Sequence, residues 1–283
     1  MTQHHVDGLE VAVTSLAATA NLEVIPLNGA QDKIRAAAPG TTITVTCSPK
    51  FGLERSLEHI ASARLAGYDV IPHLAARMVS SEAALRDFVS RICDLGVTDL
   101  YVVGGDGAVP DGPYAEASEI LEALRDFDHD LIRLGVGCYP EGHPKIAAET
   151  LLDALHRKQE YADYMVSQLC FDAQTLRTWL ERTRDAGVIL PLRIGLAAPI
   201  SIAKLLELSL RIGVGSSVRY LRKQHGMVGN LVLGRTYAPE GLLHELGPAL
   251  TDPRHNIEGL HLFTFNQLDA SVGWCARVGS STR

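Results

Sequence analysis

Several polar side chains of this sequence stand where a short apolar run breaks off: Glu23, Thr46, His73, Asp106, Tyr139 with Glu141 and His143, Gln168, and Asn266. Carboxylates and imidazoles are the residue types that hold, move or balance charge near neutral pH. Taken singly, each has an ordinary explanation. Asp and Asn favour turns, and a lone histidine is more often a hydrogen-bonded core residue than a ligand. Gathered at one rim of one scaffold, the same set would be an active site. Asp106 is the sharpest case, in the stretch YVVGGDGAVPDGP from Tyr101 to Pro113. No Gly-Lys-Ser/Thr follows its glycines, so this is no P-loop, and the alternating oxygen ligands of an EF-hand are missing. Glycines such as Gly105 let a ligand approach the backbone closely, and Asp106 reads as a placed charge.

The elements that must position these residues recur with a strand-then-helix rhythm. Apolar, β-rich runs lie at 22–26, 42–47, 68–74, 99–105, 133–140, 163–171, 191–199 and 259–266. Helical spacing follows at Glu54–Ala66, Ser81–Leu95, Tyr114–Phe127, Lys145–Tyr161, Ala173–Ala186 and Ser201–Arg211. Ser81 and Ser201 suit N-caps, while Gly67, Gly96 and Gly187 suit the position just past a helix. Such alternation implies parallel strands with right-handed crossovers. An open dinucleotide-binding sheet would carry G-x-G-x-x-G in its first turn; that motif is absent, and IGVGSS near Gly213 only echoes it. The expectation is a single (β/α)8 barrel over residues 1–283, with residues 1–20 as an N-terminal helical extension and a longer excursion before the last strand. Its strand carboxyl ends are where the polar residues above would meet.

Composition narrows the classes of function. The 283 residues are 46% hydrophobic with a net charge of −7, which argues against a large nucleic-acid surface. Five scattered cysteines with no C-x-x-C pair read as reduced thiols and offer no zinc site, pointing to a cytoplasmic protein. Val11–Ala20 lacks the positive flank of a signal peptide, and no apolar run is long enough to span a membrane.

Motifs in order along the chain then carry a family resemblance. LEVIPL (22–27), TVTC (44–47), IPHLA (71–75), VVGGD (102–106), CYPEGHPK (138–145) and SQLCFD (167–172) are similar to successive segments of the methylenetetrahydrofolate reductases, CYPEGHPK most specifically. The resemblance implies reduction of 5,10-methylenetetrahydrofolate to 5-methyltetrahydrofolate with electrons from NADH or NADPH, in the family passed through FAD. It implies that Glu23 supplies or relays a proton, that Asp106 holds the pterin and favours an iminium cation, and that Gln168 meets the pterin amide edge, with Thr46 beside them. His73, Gly105, Tyr139 and His143 fall where relatives surround flavin or nicotinamide.

The departures from the family pattern lie on the flavin side. The arginine before Gly-Asp is Gly104 here, the helical Asp that contacts the flavin chain falls at Thr150 or Leu151, and VTCSP replaces an aromatic and two small residues. Arg157 and Lys158 remain as phosphate-binding candidates, with a solvated helix face as their ordinary reading. These changes argue against tightly bound FAD and for direct hydride transfer from NAD(P)H. A non-catalytic folate-binding relative and a conventional FAD enzyme with substituted contacts are the alternatives. No metal is expected.

Overall fold

The computed structural model describes residues 3–212 and 236–280. Among them, eight parallel strands close a barrel: β1 (Asn21–Val24), β2 (Thr42–Val45), β3 (Asp69–Ala75), β4 (Asp99–Val103), β5 (Arg133–Cys138), β6 (Tyr164–Ser167), β7 (Leu192–Ala197) and β8 (Ile257–Phe263). Each strand grows from one of the apolar runs. Closure is made by β1 on β8, with Asn21 opposite His261 and Glu23 opposite Phe263. An open sheet would have left those edges unpaired.

Helix α1 (Gln3–Ala18) precedes the barrel, and α2 (Ala30–Ile34), α3 (Gly52–Leu65), α4 (Glu82–Asp94), α5 (Ala117–Leu124), α6 (Ala148–Lys158), α7 (Ala173–Asp185), α8 (Ile202–Ile212), α9 (Glu240–Leu246) and α10 (Leu268–Gly279) follow. Ser81 caps α4 by accepting the Ala84 N–H at 3.1 Å, and Gly67, Gly96 and Gly187 take φ of +87°, +74° and +89° just past their helices. Two helices start later than their spacing suggests. Glu116 and Glu119 form a capping box that fixes the start of α5 at Ala117. Before α6, His143 bridges to Ile146 and accepts the Lys145 N–H at 3.2 Å, holding that stretch as a turn. Between β7 and β8, Ile200–Ser201 pairs antiparallel with Thr236–Tyr237. The glycines from Gly213 onward in IGVGSS lie outside the described residues.

Strand alternation divides the barrel into an apolar outside and a polar inside. Ile43, Val45, Leu74, Leu100, Val102, Val136, Ile194, Leu196, Leu260 and Leu262 are buried under the helices. Inside, at the amino-terminal floor, Tyr164 donates to Asp99 at 2.8 Å, while Arg133 and Arg193 reach Glu258 at 2.9 and 2.8 Å. Burial pushes the Asp99 carboxyl up to about 6, against the pull of Tyr164 and the two arginines. Gly135 leaves room for the Tyr164 ring and Gly259 for Arg193.

Gly195 is the tightest of these interior positions. A methyl group there would land on the Ser167 carbonyl oxygen and lie 2.8 Å from the Phe263 ring. Gly195→Ala is therefore expected to destabilise the fold by about 3 kcal/mol, the upper range for overpacking. Urea unfolding measures it, and an unchanged midpoint would mean that β6 and β7 separate at no cost.

Candidate active site

Three buried side chains from different strands meet inside the barrel. Glu23 on β1, His73 on β3 and His261 on β8 are 7%, 6% and 2% exposed, and each brings a donor atom within 4.8 Å of the other two. His261 Nε2 lies 3.1 Å from Glu23 Oε2, a hydrogen bond between two buried groups. The Thr264 hydroxyl donates to the backbone carbonyl of Glu23, tying the end of β1 to the chain after β8. His73 packs edge-on against Tyr101 of β4, with ring centroids 4.6 Å apart, and His261 packs against Phe263 at 4.9 Å. Burial, with His261 nearby, drives the His73 imidazole well below its usual titration range, so it is neutral near pH 7. Burial likewise keeps the Tyr101 phenol protonated. His73 Nε2 and Thr44 Oγ1 find no hydrogen-bond partner among the described residues. Each such buried group costs about 1–3 kcal/mol until something satisfies it, and these two face the barrel interior beside Glu23.

Above this cluster the strand ends form the mouth. Gly105 has φ +94°, and a side chain there would press on Ala75 at 3.0 Å, so the turn after β4 requires glycine. That turn presents Asp106 to solvent, and Arg77 fastens it by donating to the carbonyls of Gly104 and Gly107 at 3.1 and 3.3 Å. Asp106 and Glu23 both act on the Cys47 thiol, which burial above all pushes up to about 12. Asp106 also acts on the Tyr139 phenol. Of the two carboxylates, Glu23 is buried and Asp106 exposed. Tyr139 stands edge-on to His143 at 5.3 Å. Thr46 is half-buried, its N–H on Val24, and Gln168 Oε1 accepts the Leu169 N–H at 2.8 Å. Asn266 clasps both backbone groups of Ile25 at 2.9 Å, so its role here is structural.

The basic pair on α6 divides. Arg157 points outward to Glu116 at 3.0 Å, whereas Lys158 is buried and donates to the Gly137 carbonyl at 2.8 Å. Burial lowers the Lys158 ammonium to about 8. Lys158 lies at the back of a cavity of about 570 Å³ between the end of β5, α6 and α7, together with Tyr139, Leu151, Leu155, Trp179 and Arg182. The groove shares Tyr139 with the mouth and lies across β5 from the cluster. Asp172, the last residue of SQLCFD, is the N-cap of α7.

The sequence motifs did not single out His261, Tyr101, Thr44 or Arg77. The first three point inward by strand alternation, so the signal available was period two: His261 lies two residues before Phe263, as Tyr101 lies two before Val103. Reading only strand ends selected Asn266, three residues past β8, and passed over His261 within it.

Comparison with known proteins bears on the family of the chain. Residues 25–215 match the family described as methylenetetrahydrofolate reductase. Methylenetetrahydrofolate reductase 1 of Schizosaccharomyces pombe is 29% identical over 140 residues, covering 45% of this chain and 22% of that protein. Methylenetetrahydrofolate reductase 2 of Saccharomyces cerevisiae is 26% identical over 90 residues, 30% of this chain and 15% of that one. The chain thus spans well under half the length of these relatives. Two Burkholderia cenocepacia J2315 proteins, described as a lyase/mutase and a phosphonomutase, superpose with TM-scores of 0.50 at 15% and 13% identity. They cover 95% and 96% of this chain, which covers 87% and 97% of theirs. That likeness concerns the barrel alone. Because the family match spans most of the barrel and the mouth turns that shape this site, the chain belongs to the methylenetetrahydrofolate reductase family.

Proposed function

We propose that the protein reduces 5,10-methylenetetrahydrofolate to 5-methyltetrahydrofolate with NADH or NADPH, the hydride passing directly from nicotinamide to folate without tightly bound flavin. The observation that carries the reading is two unlike carboxylates at the carboxyl ends of barrel strands: Glu23 on β1, buried and hydrogen-bonded, and Asp106, exposed on the glycine turn after β4. Opening the imidazolidine ring requires a proton on N10, after which the C–N10 bond breaks with its electron pair going to nitrogen. Glu23, fixed by its hydrogen bond to His261, is the carboxyl placed to carry that proton. The N5 iminium left behind is cationic, and Asp106 offsets its charge. Hydride then adds to the methylene carbon, giving the methyl group and oxidised nicotinamide. Gln168 supports the pterin amide edge, and Thr46 lines the same wall. His73, held neutral, puts no positive charge beside the iminium.

The side chains around the groove do not fit a flavin dinucleotide well. Leu151 supplies no charge where the flavin chain would run, Arg157 is engaged outside by Glu116, and the Lys158 ammonium is turned onto Gly137. Gly104 supplies no cation at the β4 turn. The same groove, with Trp179 and Arg182, has room for the adenosine portion of a nicotinamide dinucleotide whose ring reaches the mouth past Tyr139 and His143.

A visible spectrum and steady-state kinetics test the reading together. Without flavin nothing stores electrons between half-reactions, so both substrates must be bound at once, with the nicotinamide C4 about 3–3.5 Å from the methylene carbon. The expected outcome is a colourless protein, negligible menadione reduction, and intersecting double-reciprocal plots for NADH and methylenetetrahydrofolate. Parallel lines with stoichiometric absorbance near that of flavin would favour the FAD-dependent alternative. Tight folate binding with no NAD(P)H oxidation would favour the non-catalytic one.

A further inference from the structure

We propose that Glu23, His73 and His261 form a binding site for one divalent transition-metal ion of the zinc class, and that the bound ion withdraws Glu23 from catalysis. Their donor atoms converge from β1, β3 and β8, all within 4.8 Å of one another. Two imidazole nitrogens and one carboxylate oxygen are ligands that such ions take, with a fourth position left to water. Magnesium and calcium select oxygen donors and suit this set poorly.

Distance, partnership and charge each support the site. Zinc holds its ligand atoms at about 2.0–2.1 Å, so on a tetrahedron they stand about 3.3 Å apart, and two bound imidazoles have ring centres about 5–5.5 Å apart. Glu23 Oε2 and His261 Nε2 are already 3.1 Å apart, and the His73 and His261 ring centroids are separated by 5.9 Å at an interplanar angle of 32°. Small side-chain rotations close the difference. The hydrogen bond between Glu23 and His261 accounts for two members of the cluster and leaves the third over: His73 Nε2 is buried with no partner among the described residues. Thr44, opposite Glu23 in register on β2, has a second buried polar atom without one. The neighbours packed on the two imidazoles, Tyr101 and Phe263, are of types that never carry positive charge. A divalent ion supplies that charge to the buried carboxylate. Whatever proton the ligand atoms hold leaves to water as the ion binds. A carboxylate on the ion has none to give, so the ion and the acid role exclude each other. That inhibition, unlike the binding, rests on the reductase reading above.

Chelator-stripped protein dialysed against zinc, with magnesium in excess, is expected to take up one ion per chain at this site. Outer partners of metal sites are worth about 10–100-fold in affinity, so loss of a ligand in His73→Asn is expected to cost at least about 100-fold. Zinc held equally well by that variant would belong to exposed histidines and would overturn the proposal. A second measurement uses only the parent, and so does not depend on the variant folding. Anomalous scattering at the zinc edge from zinc-soaked crystals is expected to peak between the three side chains, and the lack of a peak there would overturn the site. One equivalent of zinc is also expected to suppress NADH oxidation with methylenetetrahydrofolate, and a chelator to restore it. Full turnover at full occupancy would overturn the withdrawal of Glu23. If the stripped parent never oxidises NADH, the reductase reading falls, while dialysis and the scattering peak still decide the metal site.

Discussion

Glu23→Gln is expected to bind reduced folate within several-fold of the parent while its turnover falls by two or more orders of magnitude. The amide keeps the shape of the side chain and can still hydrogen-bond His261, which is 3.1 Å away. What it lacks is a proton to give. General acid catalysis is worth about 10²–10⁴-fold. His73 is held neutral, and the Tyr101 phenol is pushed well above its usual range, too weak an acid for the task. The check is kcat at saturating substrates, with folate affinity measured separately by calorimetry. Turnover near the parent's would place the proton source elsewhere and remove the main argument for the mechanism.

Asp106→Asn is expected to weaken folate binding and slow reduction together, because a neutral side chain cannot offset the iminium charge. One well-oriented electrostatic contact is worth about 3 kcal/mol, roughly 100-fold, once bound substrate excludes water. Asp106 is exposed in the free protein, so its effect is expected mainly in kcat/KM, and added salt should change it little once the complex has formed. The backbone turn itself depends on Gly105 and Arg77, and the substitution leaves both intact. A variant that binds and turns over like the parent would reduce Asp106 to turn chemistry.

Much of this molecule is written in local patterns. All eight strands announce themselves as short apolar runs bounded by turn residues, although their side chains alternate between the helical shell and a polar interior. Helix ends were legible where a cap is a single residue, as at Ser81 and Gly96, and less so where a turn is stabilised by side chains several residues apart, as at His143 or Glu116. The site divides in the same way. Glu23, His73 and Asp106 follow from position at strand ends and from family motifs. His261 does not, since its partner Glu23 lies 238 residues away and only closure of β1 on β8 brings them together. Lys158 shows the opposite error: adjacent to Arg157 in sequence, it faces inward, and helical phase separates two charges that composition treats as a pair.

The charged floor of the barrel has a consequence for traffic. Tyr164, Asp99, Arg193 and Glu258 close the amino-terminal end with a lattice of hydrogen bonds and ion pairs, and Tyr164 is almost wholly buried beneath the cluster. On the proposed reading, ligands reach Glu23 from the end that carries Asp106, so a bound ligand stands between the acid and the water that recharges it. Recharging then becomes a property of the empty protein, performed in the interval between one passenger leaving and the next arriving.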